Sequence, residues 1–151
     1  MMKPLNLPQY SHKIKRDQDG EKIFDPFRSR YVALTPEEWV RQHFLNYMVT
    51  ALGYSPGLIK VEASFRLNSM LRRADILVYS REGNPVLIVE CKAPEVKLSQ
   101  TVFDQIINYN FNYCVRYLIV TNGITHYAAE VDREKKNISF LKKMPEFKDI
   151  I

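Results

Sequence analysis

The run VLIVEC at residues 86–91 constrains the fold of this 151-residue chain more than any other segment. Its first four residues are apolar, which is typical of a central strand buried on both faces. Glu90 and Lys92 follow on one face of that strand, because successive side chains point to opposite faces. A buried charge is costly unless it is paired or bound to a metal. The segment therefore predicts a central strand that carries a charged pair with a chemical role.

The flanking segments predict an α/β domain. Thr35 is a suitable N-cap for a helix that ends at Gly53, with Pro36 at the first position and Glu38 completing a capping box. Alternation, branched residues and helical spacing then predict strands at 61–67, 74–79 and 86–91, a helix at 99–113, a strand at 115–120, and a strand pair at 124–131 and 138–141. The α-β-β-β-α-β order predicts a central mixed β-sheet flanked by helices.

The chain divides into an N-terminal arm, residues 1–34, and a single domain, residues 35–151. The segment Asp17-Gln18-Asp19-Gly20 lies between two strand-like stretches and predicts a hairpin with an Asp-Gly turn. We interpret this arm as a peripheral appendage. Residues 35–151 contain no internal repeat or low-complexity stretch.

Composition excludes several classes of protein. No apolar run approaches the roughly 18 residues that a membrane span needs, and the N-terminus does not resemble a secretory signal, so a cytoplasmic protein with no membrane association is expected. Two cysteines and three scattered histidines do not predict a zinc site. The net charge of +5 permits contact with polyanions. The sequence gives no indication of oligomeric state.

Asp75 joins the charged pair in the proposed site. It lies near the start of the strand before 86–91, and in an antiparallel hairpin the start of one strand lies beside the end of the next. Two carboxylates, Asp75 and Glu90, with the backbone carbonyl of Cys91, form an oxygen site suited to Mg²⁺ or Mn²⁺. Lys92 would orient a metal-bound water or stabilise the charge that develops on a phosphodiester. The alternative is a structural ion pair at a strand edge.

Two further sets of residues are candidates for the same site. Gln105 and Tyr109 are spaced i, i+4 and lie on one face of the second helix, where they could contact a base or a phosphate; the alternative is the border of an amphipathic helix. Arg72, Arg73 and Lys97 are candidates for contacts with DNA phosphates, and the alternative for them is solvated surface charge.

Four segments together resemble a known superfamily. RADILVY (73–79), PVLIVECKAP (85–94), QIINY (105–109) and YLIVTNG (117–123) are similar to the PD-(D/E)xK nucleases, which have a restriction-endonuclease-like core. More narrowly, the chain resembles the N-terminal nuclease domain of type I restriction enzyme R subunits, and the Gln-x-x-x-Tyr motif is known from RecB-like members. The resemblance covers residues 35–123.

The resemblance implies that Asp75 and Glu90 bind Mg²⁺, that Lys92 is catalytic, and that Gln105 and Tyr109 line the active site. It also implies that a glutamate of the first helix, Glu38 or Glu37, lies near the metal, although the capping box is an alternative role for Glu38.

The sequence departs from the family pattern in two ways. Ala74 stands where the family name has proline. The 151 residues contain no Gly-rich phosphate loop followed by lysine, so a separate motor or specificity subunit is a candidate partner.

The function that these observations favour is Mg²⁺-dependent hydrolysis of DNA phosphodiester bonds. One alternative is a non-catalytic module of the same fold that binds nucleic acid or a protein. The other is an unrelated α/β domain with a structural ion pair. The sequence does not distinguish DNA from RNA or single strands from double strands.

Overall fold

The N-terminal arm forms a small antiparallel sheet in the computed structural model, which describes residues 2–67, 69–110 and 115–150. Its strands are β1 (Ile14–Asp17), β2 (Gly20–Asp25) and β3 (Arg30–Ala33). The hairpin is present, but its two loop residues are Gln18 and Asp19, and Asp17 pairs with Gly20. The third strand was not predicted.

The arm packs against the domain and does not lie apart from it. Ile23 and Asp25 of β2 are completely buried. The backbone N–H of Asn6 donates to the carbonyl of Gly123 at 2.8 Å, and the Trp39 indole N–H donates to the carbonyl of Lys3 at 3.0 Å. Residues 2–33 therefore make direct contacts with α1 and with the turn after β7.

The first helix, α1 (Pro36–Thr50), begins where predicted. The Thr35 hydroxyl accepts the backbone N–H of Glu38 at 3.0 Å. The expected capping box is only half formed, because the Glu38 carboxylate contacts arginine side chains instead of the backbone N–H of Thr35, which donates to the Ala33 carbonyl. Val40, Phe44 and Met48 form the buried stripe of the helix.

Six strands form the main sheet in the order β4-β5-β6-β7-β8-β9. All neighbouring pairs are antiparallel except β6 and β7, which are parallel, so the predicted mixed sheet is confirmed. The bounds of the strands are β4 Ile59–Leu67, β5 Met70–Tyr79, β6 Pro85–Cys91, β7 Tyr117–Thr121, β8 His126–Asp132 and β9 Asn137–Phe140.

Helices cover both faces of this sheet. One core contains the stripe of α1, and the second contains Phe103 of α2 (Gln100–Asn110). Ser99 caps α2 by accepting the Val102 N–H at 3.2 Å, as predicted. The predicted end of this helix, 111–113, lies outside the described residues. A four-residue helix that was not predicted, α3 (Phe147–Ile150), follows β9, and no helix in the described ranges is both long and apolar enough to cross a membrane.

Candidate active site

The candidate site lies where two neighbouring strands, β4 and β5, change the sheet face to which their alternate side chains point. Along β5, Ile76 belongs to the core under α1, whereas Ala74 belongs to the core under α2. The strand thus changes its facing at Asp75, although residues two apart on a regular strand share a face. Strand β4 changes its facing at Glu62, which has a backbone φ of 51°; the register pairs Val61 with Ile76 and Ala63 with Ala74 but leaves Glu62 and Asp75 between them unpaired. The sheet is therefore irregular at this pair of carboxylates.

Asp75 occupies the point where β5 and β6 separate. Backbone pairing between β5 and β6 starts at Ile76 and Val89. On the side of this pair where Asp75 lies, the Asp75 carboxylate takes the place of a backbone hydrogen-bond acceptor of β5. Its Oδ2 accepts the N–H of Cys91 at 2.7 Å, while its Oδ1 accepts from Nη2 of Arg41 at 3.0 Å. Asp75 lies in the middle of β5, not near its start as predicted, but it does lie at the start of the part paired with β6.

Glu90 lies near the end of β6, and Lys92 directly follows that strand. The Lys92 ammonium is 3.6 Å from Oε1 of Glu90. Burial raises the pKa of Glu90 to about 7, the Asp75 charge acts in the same direction, and Lys92 opposes both. The three groups that the sequence singled out therefore interact in the structure, in a half-buried position that a solute can reach, since 30% of the Lys92 side chain is exposed.

A second layer of charged groups surrounds Asp75. Arg41 is buried and donates to Oε1 of Glu38 at 2.7 Å, and its Nη1 lies 3.5 Å from Oε1 of Glu62. Arg28 of the arm donates to the same Oε1 of Glu38 at 2.7 Å, lies 3.2 Å from Glu62, and is hydrogen-bonded to buried Asp25. Asp25, Arg28, Glu38, Arg41, Glu62 and Asp75 form one ion-pair network that we call the carboxylate–arginine network.

Glu38 is thus connected to Asp75 through Arg41. Both of its carboxylate oxygens accept hydrogen bonds, Oε1 from the two arginines and Oε2 from Gln42 at 3.1 Å. A metal-binding role for Glu38 stays a prediction. Glu37 is exposed and lines a neighbouring cleft.

The other predicted site residues are placed as follows. Gln105 is exposed on α2. This helix packs on one face of the sheet, and alternation along β6 assigns Glu90 and Lys92 to the same face. The side chain of Tyr109 lies outside the described residues. Arg73 pairs with Glu62 at 3.0 Å, Arg72 has a buried Nε with no hydrogen-bond partner among the described residues, and Lys97 is exposed. Their roles stay predictions.

The sequence reasoning missed Arg28, Arg41 and Glu62. One signal could have identified Arg41: it stands four residues before Leu45 and seven before Met48, so it belongs to the buried side of α1. An arginine on a buried helix stripe needs a carboxylate partner. Arg28 and Glu62 carry no comparable local signal.

The donor atoms at the site suit a hard divalent cation. Within 2–67, 69–110 and 115–150, no cluster of three or more His, Cys, Asp or Glu side chains could hold a metal ion. The site offers two interacting carboxylates, Asp75 and Glu90, and adjacent backbone oxygens. Oxygen donors fit Mg²⁺, which keeps several water ligands in most protein sites. The mutual repulsion that raises the pKa of Glu90 would be relieved by a cation between the two groups.

Comparisons with known proteins identify a family model and a solved structure that are similar to this chain. A family model described as the type I restriction enzyme R protein N terminus (HSDR_N) matches residues 36–145. The chain is also similar to a fragment structure assigned to an HsdR subunit of a type I restriction enzyme from Vibrio vulnificus YJ016, with 20% identity and a TM-score of 0.51. That match covers 79% of this chain and 25% of the other, so the chain spans about a quarter of its length. No curated protein matches the sequence. The expected restriction-endonuclease-like fold is confirmed.

Proposed function

Because the chain belongs to the family of type I restriction enzyme R protein N-termini, we propose that it is a Mg²⁺-dependent nuclease domain that hydrolyses DNA phosphodiester bonds. The observation that carries the proposal is the meeting of Asp75, Glu90 and Lys92 at the irregular junction of β5 and β6. The same three residues form the Asp…Glu-x-Lys motif on which the resemblance to PD-(D/E)xK nucleases rests.

Asp75 and Glu90 would hold the metal, with the Cys91 carbonyl as a third protein ligand. When bound there, Mg²⁺ or Mn²⁺ would polarise the phosphodiester and lower the pKa of a coordinated water. The N–H of Cys91 fixes one oxygen of Asp75, and Arg41 fixes the other. Each oxygen retains a lone pair for a second partner, because a carboxylate has about four acceptor positions.

Lys92 would act on the transition state rather than on the metal. Its ammonium stands beside Glu90 and is partly open to solvent, so it can approach a phosphate oxygen or a bound water. A preorganised cation stabilises charge that develops at phosphorus without reorganising during the reaction. Gln105 and Tyr109 would contribute polar contacts to the substrate from α2, and Arg72, Arg73 and Lys97 would contact DNA phosphates.

The decisive experiment compares cleavage of single- and double-stranded DNA with Mn²⁺ by the wild-type chain, Lys92→Ala and Asp75→Asn. We expect Lys92→Ala to retain Mn²⁺ binding and to lose cleavage by about 100-fold or more, a typical cost of removing one electrostatic stabiliser. Asp75→Asn should lose both. Lys143→Ala is the matched control, because it removes an exposed lysine from another part of the chain. Equal cleavage by all four proteins would show that a contaminating nuclease is responsible.

One observation favours a second function. The ion pair between Arg41 and Asp75 already compensates the charge of the candidate metal ligand. A module of this fold could keep that pair and bind nucleic acid or a protein, for example a motor or specificity subunit, without cleavage. A wild-type chain that binds DNA or such a subunit but does not cleave with Mn²⁺ would support this second function.

A further inference from the structure

The outer face of the arm sheet carries three lysines around two aromatic rings. Register pairs Lys15 with Lys22 and Phe24 with Tyr31, and the N–H of Phe24 donates to the carbonyl of Lys13 at 2.9 Å. Alternation places these side chains on one face. We call this surface the arm face; it consists of Lys13, Lys15, Lys22, Phe24 and Tyr31.

The charge of the arm face is only partly neutralised. Lys15 stands directly across from Lys22, an arrangement of like charges that destabilises a sheet. Lys22 is compensated by Asp17 at 2.9 Å and Asp19 at 3.9 Å. Among the described residues, neither Lys13 nor Lys15 forms an ion pair with a carboxylate. The charge of Lys15 acts on Asp17 without a direct ion pair, so Lys13 and Lys15 remain available to an external anion.

The aromatic rings hold these two lysines in place. The Lys13 ammonium lies 5.7 Å from the centroid of the Phe24 ring, and the Lys15 ammonium lies 4.3 Å from that of Tyr31. The two rings meet edge to face at 5.3 Å. Because cation–π contacts order the lysine side chains while leaving both residues exposed, less conformational entropy remains to be lost when an anion binds.

The arm face is held in a fixed position relative to the candidate active site. The opposite face of the sheet is buried at Ile23 and Asp25, and Asp25 holds Arg28 in the carboxylate–arginine network. A cleft of about 440 Å³ begins at Lys22 and Tyr31 of the arm face and reaches Arg41 and Glu62 of that network. One cleft, lined by both basic and acidic side chains, thus connects the arm face with the carboxylate–arginine network that holds Asp75.

We propose that the arm face binds the sugar-phosphate backbone of the DNA on which the site at Asp75, Glu90 and Lys92 acts. This inference rests on the proposed function. Lys13 directly precedes β1 and Lys15 lies within it, so the two residues are about 6.8 Å apart along an extended backbone and can contact neighbouring phosphates of one DNA strand. Such contacts position the duplex and carry no sequence information.

The test is DNA binding by the full chain without divalent metal, so that no cleavage intervenes. Fluorescence anisotropy of a short labelled duplex of mixed sequence is measured at several salt concentrations for the wild type and for Lys13→Gln combined with Lys15→Gln. Each lost phosphate contact lowers the slope of log K against log salt by about 0.9, so the double variant should lose about 1.8 and bind about tenfold more weakly at low salt.

Three comparisons make the outcome decisive. Lys142→Gln with Lys143→Gln removes the same charge from an exposed pair outside the arm and should change the slope much less. Lys13→Arg with Lys15→Arg keeps both charges and should bind like the wild type. An equal loss in the Lys142/Lys143 control, an unchanged Lys13/Lys15 variant, or binding to RNA or an acidic protein but not to DNA would overturn the proposal. Metal-dependent cleavage is measured separately, so the failure of one proposal is distinguishable from the failure of the other.

Discussion

Arg41 determines the electrostatic state of the candidate site. It is buried, and it lies against three carboxylates, those of Glu38, Glu62 and Asp75. Removing one partner of a buried ion pair leaves an uncompensated charge, which is far more costly than the net value of the pair. Arg41 therefore both stabilises the fold and orients Asp75, and we regard it as a positioning residue.

We expect Arg41→Gln to lower the free energy of unfolding by about 3 kcal/mol in the absence of metal, because three acidic groups lose their shared cation. Added Mn²⁺ should restore part of this loss by replacing the missing positive charge near Asp75. Urea denaturation with and without Mn²⁺ measures both effects. Arg66→Gln is the control, since Arg66 is exposed and makes one weak contact with the Ser69 carbonyl at 3.4 Å. Equal stability of the two variants would contradict the role assigned to Arg41.

Glu90 makes stability depend on pH. Its pKa rises from 4.5 in a free side chain to about 7 in the folded chain. Burial is the larger cause, and the negative charge of Asp75 adds to it. The folded state therefore binds a proton at Glu90 that the unfolded state has lost, and the contribution of Glu90 to stability should fall as pH rises from about 4.5 through about 7. The decrease should be on the order of 1–3 kcal/mol.

Denaturation curves across this pH range check the Glu90 prediction. Glu90→Gln should flatten the profile, whereas Glu134→Gln, at an exposed turn, should leave it unchanged. Saturating Mg²⁺ should also flatten the profile for the wild type, because the cation favours the ionised carboxylate. His43 and His126, whose pKa is lowered mainly by burial, make stability rise with pH in part of this range, but they contribute equally to the wild type and to Glu90→Gln. Identical profiles for these two proteins would therefore contradict the raised pKa of Glu90.

At the scale of the elements, local signals predicted the segments well. The N-caps Thr35 and Ser99 mark helices that begin one residue later, and the segments 61–67, 74–79 and 86–91 each lie within or overlap an observed strand. Helix caps, periodicity and turns depend on a few neighbouring residues, so they can be recognised in the sequence without knowledge of the fold. The four-residue elements β3 and α3 were missed, whereas the equally short β1 and β9 were predicted because each lies beside a recognisable turn.

The reversal at Glu62 and Asp75 could not be predicted in the same way. Glu62 adopts a positive φ of 51°, which is uncommon for a residue with a side chain, and it does so where three arginines contact its carboxylate. These arginines are far from Glu62 along the chain, in the arm, in α1 and in β5. Regular alternation predicts a grouping of Asp75 with Glu90 and Lys92, but it gives no indication that Asp75 also accepts a hydrogen bond from Arg41 of α1.

At the scale of the whole molecule, the arm, α1 and the end of β7 meet at Gly123. Its φ is 84°, and a Cβ there would lie 2.7 Å from Leu5 of the arm and 3.1 Å from Val40 of α1. Asn122 shapes the turn by accepting the backbone N–H groups of Ile124 and Thr125. The Thr-Asn-Gly segment therefore has a structural explanation, namely the close approach of three parts of the chain.

Gly123→Ala tests whether the arm and the domain unfold together. Gly83 is the matched control, because its φ is 89° and a Cβ added there would meet nothing within 4 Å, so Gly83→Ala incurs only backbone strain, about 1 kcal/mol. Gly123→Ala adds overpacking against Leu5 and Val40 and should lose about 2–4 kcal/mol of unfolding free energy in urea denaturation.

Trp39, the single tryptophan, contacts the arm through Lys3 and reports its release by fluorescence, while circular dichroism reports the sheet. Coincident transitions in the wild type are expected if the arm belongs to the cooperative unit. In Gly123→Ala the fluorescence transition should come first, since the added methyl group acts directly at the contact between the arm and α1. Identical losses in the two variants would mean that the arm does not press on Gly123.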